Sequence, residues 1–96
     1  MNKYLQIDKN DNVAVALHDM KKGEQFEYGG EKYLLAEDIA AGHKFALKNI
    51  AEGENAVKYG FPIGHAIKDI KRGEWVHTHN IKTNLEGLLE YKYTPS

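Results

Sequence analysis

Ninety-six residues suffice for one domain with one modest core, and 42% hydrophobic against 28% charged residues is the balance of a chain that folds. Thirteen basic and fourteen acidic residues, well mixed to a formal net charge of -1, leave no electrostatic footprint for nucleic acid or an anionic membrane. With no cysteine, no apolar run near the roughly 20 residues of a membrane span and no signal-peptide hydrophobic region after Met1, disulfides and thiolate sites are excluded, any metal must be held by nitrogen and oxygen, and a cytoplasmic chain is expected.

Residues 3–7 can form a first strand, which the turn formers of residues 8–12 end. Residues 13–18 read as a second, with valine, valine and leucine alternating against small residues. From residue 19 a repeat dominates. Asp19-Met20-Lys21-Lys22-Gly23-Glu24, Asp38-Ile39-Ala40-Ala41-Gly42-His43, Asn49-Ile50-Ala51-Glu52-Gly53-Glu54 and Asp69-Ile70-Lys71-Arg72-Gly73-Glu74 share one pattern: Asp or Asn, an apolar residue, two variable residues, Gly, a polar residue. Gly23 and Gly53 are 30 apart, Gly42 and Gly73 are 31 apart, and Tyr28-Gly29 and Tyr59-Gly60 are 31 apart, so the copies group into two halves and predict an internal pseudo-duplication.

In each copy the acidic or amide side chain can cap a turn, the apolar residue plugs into the core, and glycine takes a positive φ. The expectation is a mainly β domain over 1–83, built of short strands joined by glycine turns, with 84–96 as an extension leading to a linker or docking on a partner. Residues 84–89 are the best helical candidate, weakened by Gly87. Tyr91 and Tyr93 can pack as an added strand or on a partner, and the end at Pro95-Ser96 suits a domain end or linker entrance.

The best local chemistry lies in residues 73–80. On a strand, His77 and His79 present their imidazoles on one face beside Trp75, with Val76 and Thr78 toward the core. That geometry suits two nitrogen ligands on one divalent ion; the alternative is a pair of surface histidines. His65, Asp69 and Glu74 are the residues able to complete a metal site. A shift of 31 carries Trp75, Val76 and His77 onto Lys44, Phe45 and Ala46, which makes Phe45 and Leu47 core positions and puts Lys44 on the face equivalent to the histidines. His43 and Lys44, just after a glycine turn, can serve as acid, base or carboxylate anchor, or simply line a solvated turn. His18 reads as a strand-end surface histidine. Residues 59–64, with glycines bracketing Pro62, fix an unusual backbone path; loop architecture is one reading and backbone contact to a ligand the other. No phosphate loop, dinucleotide fingerprint, nucleophile elbow or carboxylate pair is present, so no complete active site is evident.

Residues 11–17, 42–47, 58–64 and 73–80 occur together in an order that resembles the N-terminal domain of the altronate dehydratase family, and Asn80, Thr83-Asn84-Leu85 and Tyr91-Lys92-Tyr93 extend the likeness over nearly the whole chain. The resemblance implies an SAF-type domain, a small β-clip fold that precedes or accompanies a much larger catalytic domain. It implies a divalent metal, Fe2+ before Mn2+, and dehydration of a sugar acid to a 2-keto-3-deoxy acid in hexuronate catabolism. D-altronate giving 2-keto-3-deoxy-D-gluconate is the preferred reaction; galactarate dehydratase and two-subunit lyases such as sulfolactate sulfo-lyase, in which the small domain is a separate chain, are the alternatives. The expected roles are His77 and His79 on metal or substrate, His43 and Lys44 in catalysis at the domain boundary, and Lys44, Tyr59 and Gly60 in substrate contact. The isolated chain is not expected to be active. Its expected partners are the large catalytic domain or subunit, the sugar acid and, through exposed strand edges, further copies of itself; a non-catalytic sugar-acid-binding module and a purely structural interaction domain are the competing functions.

Overall fold

The structure, a computed structural model, describes residues 3–83. The candidate helix at 84–89, the tyrosines of the tail and the 84–96 extension lie outside the described residues. Within them every regular element is a strand: β1 (Tyr4–Leu5), β2 (Val13–Ala16), β3 (Gln25–Tyr28), β4 (Glu31–Leu34), β5 (Lys44–Ala46), β6 (Asn55–Lys58), β7 (Phe61–Ala66), β8 (Trp75–Val76) and β9 (Ile81–Thr83). They form three antiparallel sheets, β1-β2-β5-β8 in the centre, the hairpin β3-β4, and β6-β7-β9. The expected all-β class holds. No helix among the described residues is long and apolar enough to cross a membrane.

The corners that carry the repeat explain why the strands are short. Gly23, Gly42, Gly53 and Gly73 take φ of 90°, 86°, 89° and 86°, a region that an L side chain enters only under strain. A backbone bond closes each turn three residues back: Glu24 N–H to Lys21, His43 to Ala40, Glu54 to Ala51 and Glu74 to Lys71. The corners associate in pairs, through bridges Met20 with Ile39 and Ile50 with Ile70. The Asp or Asn that opens each copy caps its partner's turn: Asp19 accepts from Ala41 N–H, Asp38 from Lys22, Asn49 from Arg72 and Asp69 from Glu52, all at 2.8–2.9 Å. In three corners the residue after glycine is a glutamate that caps its own turn, Glu24 onto Lys21 N–H, Glu54 onto Ala51 and Glu74 onto Lys71. In the fourth, His43 stands in that place.

The central sheet is covered on both faces, which fixes where each side chain can go. Phe45 lies opposite Ala14 and Trp75, on the side of a cluster of Phe26, Met20, Leu35, Ile39 and Leu47. Here the rings of Phe26 and Phe45 meet edge-on at 5.1 Å, and Tyr4 meets Phe45 at 5.8 Å. The other face carries Val13, Ala46 and Val76 against Ile50, Ala56, Ala66 and Ile70. Phe45 and Leu47 are fully buried, as the sequence predicts. Burying each such side chain contributes on the order of 1.5–3 kcal/mol, so two modest clusters replace the single core expected of this length.

Candidate functional site

Trp75 organises one rim of the molecule. Its backbone N–H donates to Glu37 Oε2 at 2.9 Å and its carbonyl accepts from Asn80 Nδ2 at 2.7 Å, which holds the residue at both ends. Three imidazoles then surround the indole. His77 stacks on it nearly parallel, 9° between planes and 5.1 Å between centroids; His79 lies at 4.8 Å and 37°; His43 meets it edge-on at 5.4 Å and contacts His77 at 5.6 Å. The indole Nε1–H donates to His43 Nδ1 at 3.1 Å. Because indole nitrogen can only donate, Nδ1 must be bare while this bond is made, and the neutral His43 ring carries its proton on Nε2. That Nε2 has no partner among the described residues and no buried side-chain atom is unsatisfied, so the N–H faces solvent. It does so beside a shallow cleft of about 270 Å³ lined by Asp38, Ala40, His43 and Trp75.

The two C-terminal histidines reach this rim by a route other than the expected one. β8 ends at Val76, and residues 77–80 form a turn. The cause is Asn80, buried to 3% exposure: its Oδ1 accepts from His77 N–H at 3.0 Å and its Nδ2 donates to the Trp75 carbonyl, so one amide side chain takes the place of a neighbouring strand. Thr78 is consequently exposed and does not face the core. His77 and His79 still come together, on the indole.

Lys44 is the second departure. Residues opposite each other in an antiparallel pair share a face, and Lys44 lies opposite Val15 and Val76, whereas Trp75 lies opposite Phe45. Lys44 therefore rises on the side of the sheet away from the imidazole rim. Burial, and then repulsion by Lys58, hold its ammonium below the ordinary lysine range.

Tyr59 and Gly60 turn the β6–β7 hairpin, both at positive φ (59° and 74°). Their amide N–H groups donate to Asp11, at 3.1 Å to Oδ2 and 2.8 Å to Oδ1, and Asp8 N–H adds a third bond at 2.9 Å. Both backbone amides are thus spoken for by the protein. Asp11 is 1% exposed, and its part in the fold is one that reading it as a turn former misses. His65 sits on β7, paired with Asn55 and Lys82, away from the rim strands, and His18 is exposed as expected.

A metal needs more than this rim provides. Among the described residues no group of three or more His, Asp or Glu side chains is arranged to hold an ion. Glu74, a candidate to complete the set, caps its own turn, and Asp69 caps Glu52 N–H. His77 and His79 leave their ring nitrogens unpartnered among the described residues but supply two donors at most, short of the three protein ligands of an open catalytic site. Among the described residues, His77 and His79 are therefore at most part of a metal site.

Comparison with known proteins places this rim in context. Residues 2–84 match the model of the altronate/galactarate dehydratase SAF domain. The chain belongs to this family. It is 50% identical over 95 residues to the altronate dehydratase of Bacillus subtilis and 48% identical over 93 residues to that of Escherichia coli, covering 99% and 97% of this chain but 19% of each relative. Over 52 residues it is 40% identical to the (2R)-sulfolactate sulfo-lyase subunit alpha of Chromohalobacter salexigens, 54% of this chain and 55% of that one. The SAF domain thus spans about a fifth of the dehydratases it matches, and in them it is a small part of a larger enzyme.

Proposed function

We propose that this SAF domain is a non-autonomous part of a sugar-acid hydro-lyase, with D-altronate as the first substrate to test and its imidazole rim facing a site completed by a larger catalytic domain or subunit. The observation that carries this is the position of His43. At the one corner where the capping glutamate is replaced, the substituted side chain is locked by Trp75 into the tautomer that offers an N–H outward, beside two further imidazoles. In this reading His43 Nε2–H donates to an anionic oxygen of the sugar acid, a charge-assisted bond that orients the substrate. His77 and His79 stand at the boundary with the larger part. The divalent metal that the resemblance implies, Fe2+ or Mn2+, would take from that larger part the ligands that His77 and His79 do not supply, and no action of His43 depends on it.

Likeness to a sulfo-lyase subunit supports a second form of the same reading, in which the chain works as a separate small subunit. One experiment addresses both: the 96-residue chain is mixed with a separately expressed large part of an altronate dehydratase. The chain alone is inactive, the mixture dehydrates altronate, and galactarate and sulfolactate define the substrate range. A folded, docked complex that turns over none of the three acids rejects the proposal.

A further inference from the structure

The described residues end at Thr83, and strand pairing fixes where the chain is heading there. β9 runs antiparallel to β7, with Ile81 beside Ala66 and Thr83 beside Gly64, so it advances toward the Tyr59–Gly60 turn. That turn rests on the loop joining β1 to β2: Asp11 accepts from both of its amides, and a Cβ on Gly60 would lie 3.2 Å from Asp8 Oδ2. The chain therefore leaves β9 toward the end of β1.

β1 has an open edge. In the central sheet it has β2 on one side and no described strand on the other. Leu17 N–H donates to the Lys3 carbonyl at 2.6 Å, so Lys3 and Leu5 hold the positions that bond to β2, and the N–H and C=O of Tyr4 point away from it. The two faces of this edge differ. Tyr4 packs against Phe26 and Phe45, whereas Leu5, on the other face with Val15 and Leu17, is 47% exposed and Leu17 is 49% exposed. On the Tyr4 side a cleft of about 250 Å³ between β1 and β3 is lined by Lys3, Glu24, Glu27 and Lys32.

A strand that fits this edge has apolar side chains on one face and mixed charge on the other. Leu89-Glu90-Tyr91-Lys92-Tyr93 has that alternation, and Pro95, which lacks an N–H, stops a ladder just beyond it. We infer that residues 89–93, which lie outside the described residues, add to the free edge of β1 as an antiparallel strand. Leu89, Tyr91 and Tyr93 then stand on the side of Leu5, and Glu90 and Lys92 on the side of the charged cleft. The chain is long enough to do so. From Gly64 back to Gly60 and from Asp8 back to Leu5 is about 23 Å of strand, and residues 84–91 reach about 28 Å when extended. The added strand gives the outward N–H and C=O of Tyr4 their partners, covers Leu5 and removes an open sheet edge. None of this depends on the sugar-acid reading above.

Solution NMR of the isotopically labelled 96-residue chain is the test. The Tyr4 amide exchanges with deuterium at least about tenfold more slowly than an open peptide, the Leu5 methyls show contacts to the ring of Tyr91 or Tyr93, and Hα–Hα contacts join β1 to residues 89–93. Tyr91→Ser combined with Tyr93→Ser returns the Tyr4 amide to the open rate, while the amides of the Met20 and Ile39 bridge stay protected. That variant changes nothing in residues 3–83, so the core serves as its own control for folding. Leu5→Ser weakens the same contacts from the other side. A Tyr4 amide that exchanges as fast as an open peptide in the wild-type chain, or protection that survives the paired tyrosine substitutions, overturns the strand. So do contacts found only between differently labelled copies in a mixed sample, since the occupant is then a second chain, and contacts that form only once a separately expressed large part is added.

Discussion

Trp75 donates its indole N–H to Nδ1 of His43 at 3.1 Å, and this one bond decides which nitrogen of the histidine meets solvent. Trp75→Phe keeps an aromatic ring for His77 and His79 to rest on and removes only the donor. In the wild-type chain, ¹⁵N-edited NMR of neutral His43 shows one tautomer, protonated at Nε2; in Trp75→Phe both tautomers are populated. Turnover by the assembled enzyme falls on the order of tenfold, at the lower end of what loss of an orienting partner usually costs. A single unchanged tautomer in the variant would mean that something other than the indole sets it.

Asp11 connects three backbone amides from two separate loops, at Asp8, Tyr59 and Gly60, from a site 1% exposed. Asp11→Ala leaves those three part-buried donors without their acceptor and is expected to cost about 2 kcal/mol, while Asp11→Asn, which keeps one carbonyl oxygen, costs about 1 kcal/mol. For a domain of this size each kcal/mol lowers Tm by roughly 4–8 °C, so thermal melts separate the two variants. Equal Tm values for Asp11→Ala and wild type would show that the latch contributes nothing.

Much of this architecture is legible in the residues, and the misses have specific causes. Phe45 and Leu47 are core positions because a strand leaving a glycine corner must bury its apolar side chains. Saying which face they bury is another matter. Phe45 and Val76 are both fully buried, yet on opposite sides of the central sheet, and cross-strand register alone decides between them. A shift along the chain carries no such information, and for that reason Lys44 was expected beside the histidines. The strand through His77 and His79 fails for a local reason: Asn80 competes for the backbone groups that a ladder would use, and an Asn two residues beyond a Thr in a run of strand formers is the only hint of it. The 31-residue spacing that relates the Gly42 and Gly73 corners was legible, but the β5–β8 pairing that brings His43 to His77 and His79 and the Trp75 bond that orders them were not.

The four corner glycines look alike in the sequence and differ in their surroundings. A Cβ on Gly42 meets nothing within 4 Å, so Gly42→Ala costs only the strain of a left-handed residue, about 1 kcal/mol. On Gly73 it would lie 2.8 Å from Leu34 O and 2.9 Å from Ala36 N, whose N–H already donates to the Gly73 carbonyl. Both contacts are backbone and cannot rotate away, so Gly73→Ala is expected to cost 2 kcal/mol or more beyond that strain, roughly the range for overpacking a dense site. Chemical denaturation of the two variants measures the difference directly; similar losses would place the backbone of residues 34–36 elsewhere.

Lys44 gives the fold a pH dependence whose sign follows from its environment. Burial and Lys58 lower the pKa of this ammonium in the folded chain below its ordinary 10.5. Between the folded value and 10.5 the unfolded chain holds more protons than the folded one, so this residue's contribution to stability rises with pH there. Below both values the fold carries a constant penalty for keeping the charge. Lys44→Met retains the apolar stem over Val15 and Val76 and deletes that penalty, so at pH 7 the variant is the more stable, by about 0.5 kcal/mol once solvent screening of a half-exposed charge is allowed for. The gap narrows as the pH rises toward 10.5 and closes only above it, where wild-type Lys44 is neutral in both states. Urea unfolding of both chains at pH 7 and near pH 10 reads the gap at each end, and a difference that stays constant over that interval would show that the Lys44 ammonium is as well solvated in the folded chain as in the unfolded one.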